Sequence, residues 1–286
     1  MSDSWPQIMS RFSGVEALRG AELIRHLPGG PASSSFLLQA GGHRLVARVD
    51  GPAARVLKLD RLGEIEILQV VSAAGIGPEL IWADAQQGLL VCTYLEGTAC
   101  SREDIRNPEL LQELASTLRK LHSLPPAGPD FEPESAVRNY AGKLATPTAQ
   151  RVADRAGKLL TQIRKESSTR ALCHNDLVHT NIIANRLGSH LPVRLIDWEY
   201  AAVGDPFFDL AVVVRHHELN APLTKGFLQA YFGSLLPEHV EKLERYSRLY
   251  DYLSGLWYLS MDDGSGQTPG FDEELQRVMA RLGQIE

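Results

Sequence analysis

Hydrophobic positions change their rhythm several times along the 286 residues, and those changes divide the chain. Between about residues 21 and 60 three stretches, AELIRHL, SSFLLQA and HRLVARVD, alternate or run apolar at the period of a strand. Glycine joints separate them at Gly29–Gly30 and Gly41–Gly42, and the second pair is a short hairpin signal. From Asp60 to Ala74 the period becomes helical, with Leu62, Ile65, Leu68 and Val71 on one stripe and Gly75 placed to end the helix. GPELIWADAQQGLLVCTYL then predicts two more strands around a turn near Gln86–Gly88. A β-rich block with one helix therefore fills the first part of the chain.

The composition shifts at YLEGT, residues 94–98, which is the best place for a hinge. Beyond it the pattern is mostly helical. NPELLQELASTLRKLHSL carries Asn107 as N-cap and Pro108 at the first helical position. PPAGPDFEPES reads as a loop, and Glu134 to roughly Lys165 as a helix. TNIIAN and VRLIDWEY are short strands around the turn RLGSHLP. After Asp205 the chain reads as helical almost to its end, interrupted near Gly264–Gly270.

Composition and charge then narrow the classes. A net charge of -6 argues against a nucleic-acid partner held by phosphate neutralisation. No uncharged apolar stretch reaches about 18 residues, so no membrane-spanning helix and no membrane partner are expected. MSDSWPQIMSRF lacks the basic-then-apolar order of a secretory signal. Cys92, Cys100 and Cys173 show no metal-ligand spacing; they read as small buried hydrophobes in a reducing, cytoplasmic protein.

LCHNDLVHTNII, Leu172 to Ile183, is mostly apolar, yet His174, Asn175, Asp176, His179 and Asn181 crowd its middle. Further on, Asp197 ends the apolar run of RLIDWEYAAVGDPFFDLA. The bland reading is a buried polar network that pins two loops. The chemical one is phosphoryl transfer. There, one carboxylate orients the attacking hydroxyl and accepts its proton, while a carboxylate and an amide oxygen hold magnesium, a hard cation.

His174, Asp176 and Asn181 in this order resemble the H-x-D-x-x-x-x-N catalytic loop of the protein-kinase-like superfamily, with Asp197 where its second magnesium ligand sits. The usual D-F-G reads Asp197-Trp198-Glu199, which resembles the small-molecule branch: choline/ethanolamine kinases, thiamine kinases and aminoglycoside phosphotransferases. The resemblance implies an α+β bilobal protein-kinase-like fold, with a small β-rich N-lobe at 1–94 and a larger, mostly helical C-lobe at 95–286. It implies ATP and Mg2+ as cofactors and a small hydroxylated molecule as acceptor. Asp176 would be the catalytic base and Asn181 and Asp197 the metal ligands. His174 would prop the loop, and Asp209, in DPFFDLA, would anchor it. His179, inside the loop, is left without a role.

On the nucleotide side, LPGGPASSSFLL resembles the phosphate-covering loop, so Gly29, Gly30 and Ser33 would face phosphate; Ser33 replaces the expected Asn and would hold it more loosely. Arg48 stands where most kinases carry a lysine and would grip phosphate oxygens bidentately, with Lys58 as rival. Its helix partner is Glu64 or Glu66. They lie about 200° apart on a helix, so one alone can face the site. The choline kinase layout, counted back from Pro78, favours Glu64. Adenine would lie against the backbone from Thr93 to Leu95.

For the acceptor, Tyr246, Tyr250, Leu253 and Trp257 share a helical stripe, and GLW at Gly255–Trp257 resembles the aromatic cage of choline kinases. Ser254 stands where those enzymes carry another Trp, and ordinary helix packing accounts for the stripe equally well. Glu199, Asp251 and Asp262 would add negative potential. Choline, ethanolamine and thiamine are the acceptors implied; an aminoglycoside or sugar kinase and a nucleotide-binding pseudokinase are the alternatives. No A-P-E segment follows Asp197, which disfavours a protein kinase.

Overall fold

The computed structural model describes residues 5–29, 32–144, 146–165, 169–184, 193–262 and 271–285. Gly30, the turn RLGSHLP and the interruption at Gly264–Gly270 lie outside the described residues.

The N-terminal part is a five-stranded antiparallel sheet in the order β1-β2-β3-β5-β4. Its strands are β1 (Glu22–Leu27), β2 (Ser33–Ala40), β3 (His43–Asp50), β4 (Leu80–Asp84) and β5 (Leu89–Thr93). Gly41 and Gly42 both take positive φ, the backbone a two-residue hairpin needs, and they set the register Ala40↔His43. Period-two alternation gives the sheet two working faces. Phe36, Leu38, Leu45, Ala47, Val49, Leu89 and Val91 pack on one face with Ile8 and Phe12. Ile8 lies in α1 (Trp5–Ser10), a helix too short for its periodicity to register in the sequence. Val46, Leu90 and Cys92 turn to the other face, against α3 (Arg61–Ala73), and carry Arg48 with them. A second short helix, α2 (Pro52–Leu57), also escapes the sequence pattern.

In α3, Asp60 caps the first turn by accepting from Gly63 N at 3.0 Å. The buried face is not the stripe expected. Leu62 is 67% exposed, whereas Arg61, Glu64, Ile67, Leu68 and Val71 are buried. A charged pair occupies the first turn of the inward face because Arg48 waits opposite it.

The C-terminal part is built from α4 (Arg102–Ile105), α5 (Pro108–His122), α6 (Pro133–Ala141), α7 (Pro147–Ile163), α8 (Phe207–His216), α9 (Ala221–Phe232), α10 (Pro237–Met261) and α11 (Phe271–Ile285). The single helix expected from Glu134 to Lys165 is two. Pro147 cannot continue a helix and starts a new one, whose N-cap Thr146 accepts from Ala149 N at 3.2 Å. Short strands lie at the lobe junction: β6 (Thr98–Ala99), β7 (Ala171–Cys173), β8 (Ile182–Ala184), β9 (Arg194–Leu195) and β10 (Ala202–Gly204). They form the sheets β6-β8-β9 and β10-β7. VRLIDWEY contributes only Arg194–Leu195 to a strand, because Asp197 takes a positive φ that leaves the β region. The larger hydrophobic core runs from α3 through α5 and α8 to α10, with Ile67, Leu114, Leu118, Leu210 and Leu256 fully shielded.

Candidate active site

The connection from β7 to β8 is the stretch HNDLVHTN, and its shape is held from below. Asp209, fully buried near the start of α8, accepts from the backbone N–H of His174 at 2.9 Å and of Asn175 at 2.7 Å. His122 Nε2 meets the same carboxylate at 3.0 Å. His174 Nε2 lies 3.0 Å from Ile196 O, and its Nδ1 accepts from Asp176 N at 3.3 Å. One imidazole thereby fixes both the loop before Asp176 and the loop before Asp197. Burial keeps His174 neutral, as those two opposite roles require. Asn175, at φ 64, donates from Nδ2 to Tyr200 O at 3.0 Å. The left-handed backbone there is strain that the hydrogen bonds on either side must hold.

Asp176 leaves this scaffold with no cationic partner for its carboxylate among the described residues. Asn181 Nδ2 donates to its Oδ2 at 2.9 Å and to its carbonyl at 3.0 Å. Burial, then the charge of Asp197, pushes the Asp176 pKa up to about 7. Because Asn181 spends its amide NH2 on Asp176, its amide oxygen points the other way. That oxygen and the Asp197 carboxylate are hard donors of the kind magnesium takes. Asp197 is 38% exposed at its side chain, and burial also holds its pKa up. Two neighbouring carboxylates that resist ionising together fit a divalent cation between them.

Across the cleft, Arg48 donates from both terminal nitrogens to Glu64, at 2.6 and 2.5 Å. Burial works against the Arg48 charge, but Glu64 outweighs it and keeps the guanidinium protonated. Glu66 is exposed on the other side of the helix. Lys58 reaches Asn139 instead, at 3.3 Å. Arg48 also lies 3.8 Å from Asp197, which brings the two sides of the cleft together. Arg61 was not singled out from sequence, yet it bonds Glu64 at 2.7 Å, Asp50 at 2.7 Å and Glu199 at 3.1 Å. Its signal was available: three positions before Glu64 on a helix is the same face. Burial, then Asp197, raises the pKa of Glu199. Asp50, Glu64, Asp197 and Glu199 outnumber Arg48 and Arg61, and burial, with that crowding, pushes the Glu199 pKa up to about 8.

Gly29 stands just before β2; a Cβ there would meet only Ser33 O, at an ordinary 3.5 Å, so packing does not demand glycine. Ser33 opens β2 opposite Asp50. At the hinge, Thr93 N–H donates to Glu79 O at 2.9 Å and Tyr94 N–H to Arg44 O at 3.0 Å; Leu95 is half-buried. A cleft of about 710 Å³ touches Thr93 and Tyr94 but includes none of Asp176, Asn181 and Asp197.

The aromatic stripe divides. Tyr250 is buried, with its hydroxyl 3.3 Å from His216 Nδ1, and Tyr246 packs on Phe207. Trp257 is half-buried and donates from Nε1 to the Tyr200 hydroxyl at 3.2 Å. Asp251 does not face the cleft with its charge free: Arg215 and Arg281 bind it at 2.6 and 2.8 Å. Tyr140, Tyr200 and Tyr258 were not singled out from sequence, yet burial and the Asp176 charge raise the pKa of all three. They come from α6, the loop after Asp197 and α10, segments that only the fold brings together.

Residues 24–245 match the model of a family described as the phosphotransferase enzyme family. The chain is 28% identical over 273 residues to protein LicA of Haemophilus influenzae, which spans 89% of this chain and 98% of that one. It is 29% identical over 259 residues to ethanolamine kinase 2 of Rattus norvegicus, covering 80% of this chain and 66% of that one. The choline kinase LicA from Streptococcus pneumoniae superposes with a TM-score of 0.78 at 21% identity, over 96% of this chain and 99% of that chain. The bilobal protein-kinase-like fold expected from the sequence is the fold observed.

Proposed function

The chain belongs to the phosphotransferase enzyme family, and from that premise we propose that it moves the terminal phosphoryl group of ATP to the hydroxyl of a small cationic metabolite of the choline, ethanolamine or thiamine class. One observation carries the reading: Asp176 is held by Asn181 and, through the loop backbone, by Asp209, beside Asp197 and across from the Arg48–Glu64 pair.

Asp176 orients the acceptor hydroxyl and receives its proton, a task suited to a carboxylate whose pKa burial has raised to about 7. Arg48, held rigid by Glu64, grips phosphate oxygens in two-pronged fashion, and the Gly29–Gly30–Ser33 loop covers them. Since Thr93 and Tyr94 have spent their N–H groups, Leu95 supplies the backbone contact for adenine. Asn181 and Asp197 would hold Mg2+, which would supply positive charge to offset that of the phosphates. His174 and Asp209 keep the loop in place. We divide the chain near residue 94, at the hinge.

A cationic acceptor fits the surroundings of Asp176. Tyr140, Tyr200 and Tyr258 lie within reach of its charge, Trp257 is bonded to Tyr200, and the carboxylates of the cleft outnumber its guanidiniums. An aromatic face attracts a cation that can donate no hydrogen bond, and surplus carboxylate draws it in. Two relatives are named a choline kinase and an ethanolamine kinase. The three cysteines are free and buried, as suits a cytoplasmic enzyme.

The test is Mg2+-dependent ADP release with choline, ethanolamine, thiamine, amino sugars and an aminoglycoside as acceptors. One of the first three should be turned over, and Asp176→Ala should lose turnover by several decades while ATP still binds. Turnover of the aminoglycoside or a sugar alone would overturn the acceptor class. ATP binding with no turnover on any acceptor would make the chain a pseudokinase.

A further inference from the structure

His179 sits between Asp176 and Asn181 in the 3₁₀ turn His179–Asn181, and it has company that phosphoryl transfer does not explain. His216 ends α8 and His217 follows it; both are buried. One ring nitrogen from each of the three histidines lies within 4.8 Å of the others. His179 Nδ1 and His216 Nε2 are already 3.2 Å apart. Tetrahedral zinc, with Zn–N bonds of about 2.0–2.1 Å, sets its ligand nitrogens roughly 3.3–3.4 Å apart. That pair therefore needs no movement, and the third ligand needs a side-chain adjustment.

His217 supplies the independent observation. Its Nδ1 lies 2.8 Å from Val213 O, a carbonyl that can only accept, so Nδ1 carries the proton. The lone pair is then on Nε2, which is buried with no partner. A histidine that donates one nitrogen to a backbone carbonyl and offers the other bare is the arrangement metal-ligating histidines take. Glu274, whose charge acts on His179, has its Oε2 buried without a partner, while its other oxygen is paired with Arg102. Arg102 puts positive charge beside all three histidines and works against a cation; its pairing with Glu274 offsets that charge.

We propose that His179, His216 and His217 form a three-histidine transition-metal site of zinc type. It is separate in kind from the site of Asn181 and Asp197. Imidazoles select zinc, cobalt, nickel or copper, whereas oxygen donors select magnesium. Bound metal ties the loop between Asp176 and Asn181 to the end of α8.

The experiment uses the full chain, stripped with chelator and titrated with Zn2+ against a chromophoric competitor in millimolar Mg2+; Co2+ serves as the spectroscopic probe. One equivalent should bind at submicromolar concentration, with the visible bands of four-coordinate Co2+. His216→Gln and His217→Gln should each weaken binding by about 100-fold. Circular dichroism of the metal-free variants checks that they fold. Should either fail, His179→Gln, in the half-exposed loop, carries the test and should weaken binding similarly. No stoichiometric binding by the wild-type chain, or binding that all folded variants retain, overturns the site.

Discussion

Glu64 receives three charge-assisted hydrogen bonds where water scarcely reaches, two from Arg48 and one from Arg61. Burial alone would raise its pKa, but the two guanidiniums hold it below the usual carboxylate range. Removing that charge leaves buried Arg48 with Asp197, at 3.8 Å, as its nearest remaining carboxylate, while Arg61 keeps Asp50 and Glu199. Glu64→Gln should cost about 3–5 kcal/mol by denaturant titration, and Glu66→Gln, on the solvent side, no more than about 0.5 kcal/mol. Helix geometry showed that one of these glutamates alone could face the site; it was the resemblance to the choline kinase layout that favoured Glu64. Arg61 was not singled out: the eye follows apolar residues, and in this first turn the inward positions are charged. His217 gives the complementary case at acidic pH. Burial first, and then the charges of His179, Arg102 and Arg106, lower its pKa to about 3, while Val213 O opposes them. His216 packs edge-on against it. The folded chain binds fewer protons here than the unfolded chain below the free value of about 6.5, so this contribution to stability falls as pH drops through that value. With chelator present, wild type should lose about 1.4 kcal/mol per pH unit below 6.5 relative to His217→Gln. Parallel pH profiles of the two proteins would refute the linkage.

At the scale of elements, β2, β3 and β5 were legible because their residues alternate between the two hydrophobic cores, and period-two patterning records that directly, whereas β1 is exposed along nearly its whole length. The junction strands were much less so. β9 is two residues long and β7, β8 and β10 three each, too short for any period to show, and their pairing is set by the chain around them. The break between α6 and α7 was written in Thr146-Pro147, a cap followed by a proline, but continuous polarity on both sides masked it. Gly97 marks where the chain passes from one lobe to the other. Its φ is +139, and a Cβ would lie 2.7 Å from Ile183 Cγ2 and 2.9 Å from Ala184 O, both in β8 just beyond Asn181. Gly97→Ala should therefore cost at least about 1–3 kcal/mol in backbone strain alone. Since the displaced atoms belong to β8, the variant should also lose turnover, whereas Gly226→Ala, with open space around its Cβ, should keep both. Equal melting temperatures for the two variants would show that the junction tolerates a side chain.

At the scale of the molecule, the cleft is built so that each side is incomplete alone. Arg48, Glu64 and Arg61 come from the sheet and α3; Asp197 and Glu199 come from the loop after β9. Their cross-cleft contacts, 3.8 Å for Arg48–Asp197 and 3.1 Å for Arg61–Glu199, leave the carboxylates in surplus. Burial, and the charge of Glu64, raise the pKa of Asp197, so its ionised form costs stability at neutral pH. Magnesium with nucleotide should reverse the sign, since the cation neutralises what the fold has crowded together. At a concentration a hundredfold above its Kd, a ligand that binds only the folded chain adds about 2.7 kcal/mol, which in a chain of this size raises Tm by about 5 °C. Asp197→Asn removes one of the repelling charges and one of the proposed metal ligands in a single change. It should leave the free protein as stable as wild type or more so, and shrink the Mg·ATP increment to a small fraction. A thermal-shift series with ATP and Mg2+, ATP and chelator, and buffer alone separates these effects. An Asn variant that is destabilised on its own yet keeps the full increment would mean that Asp197 supports the fold and that the metal sits elsewhere.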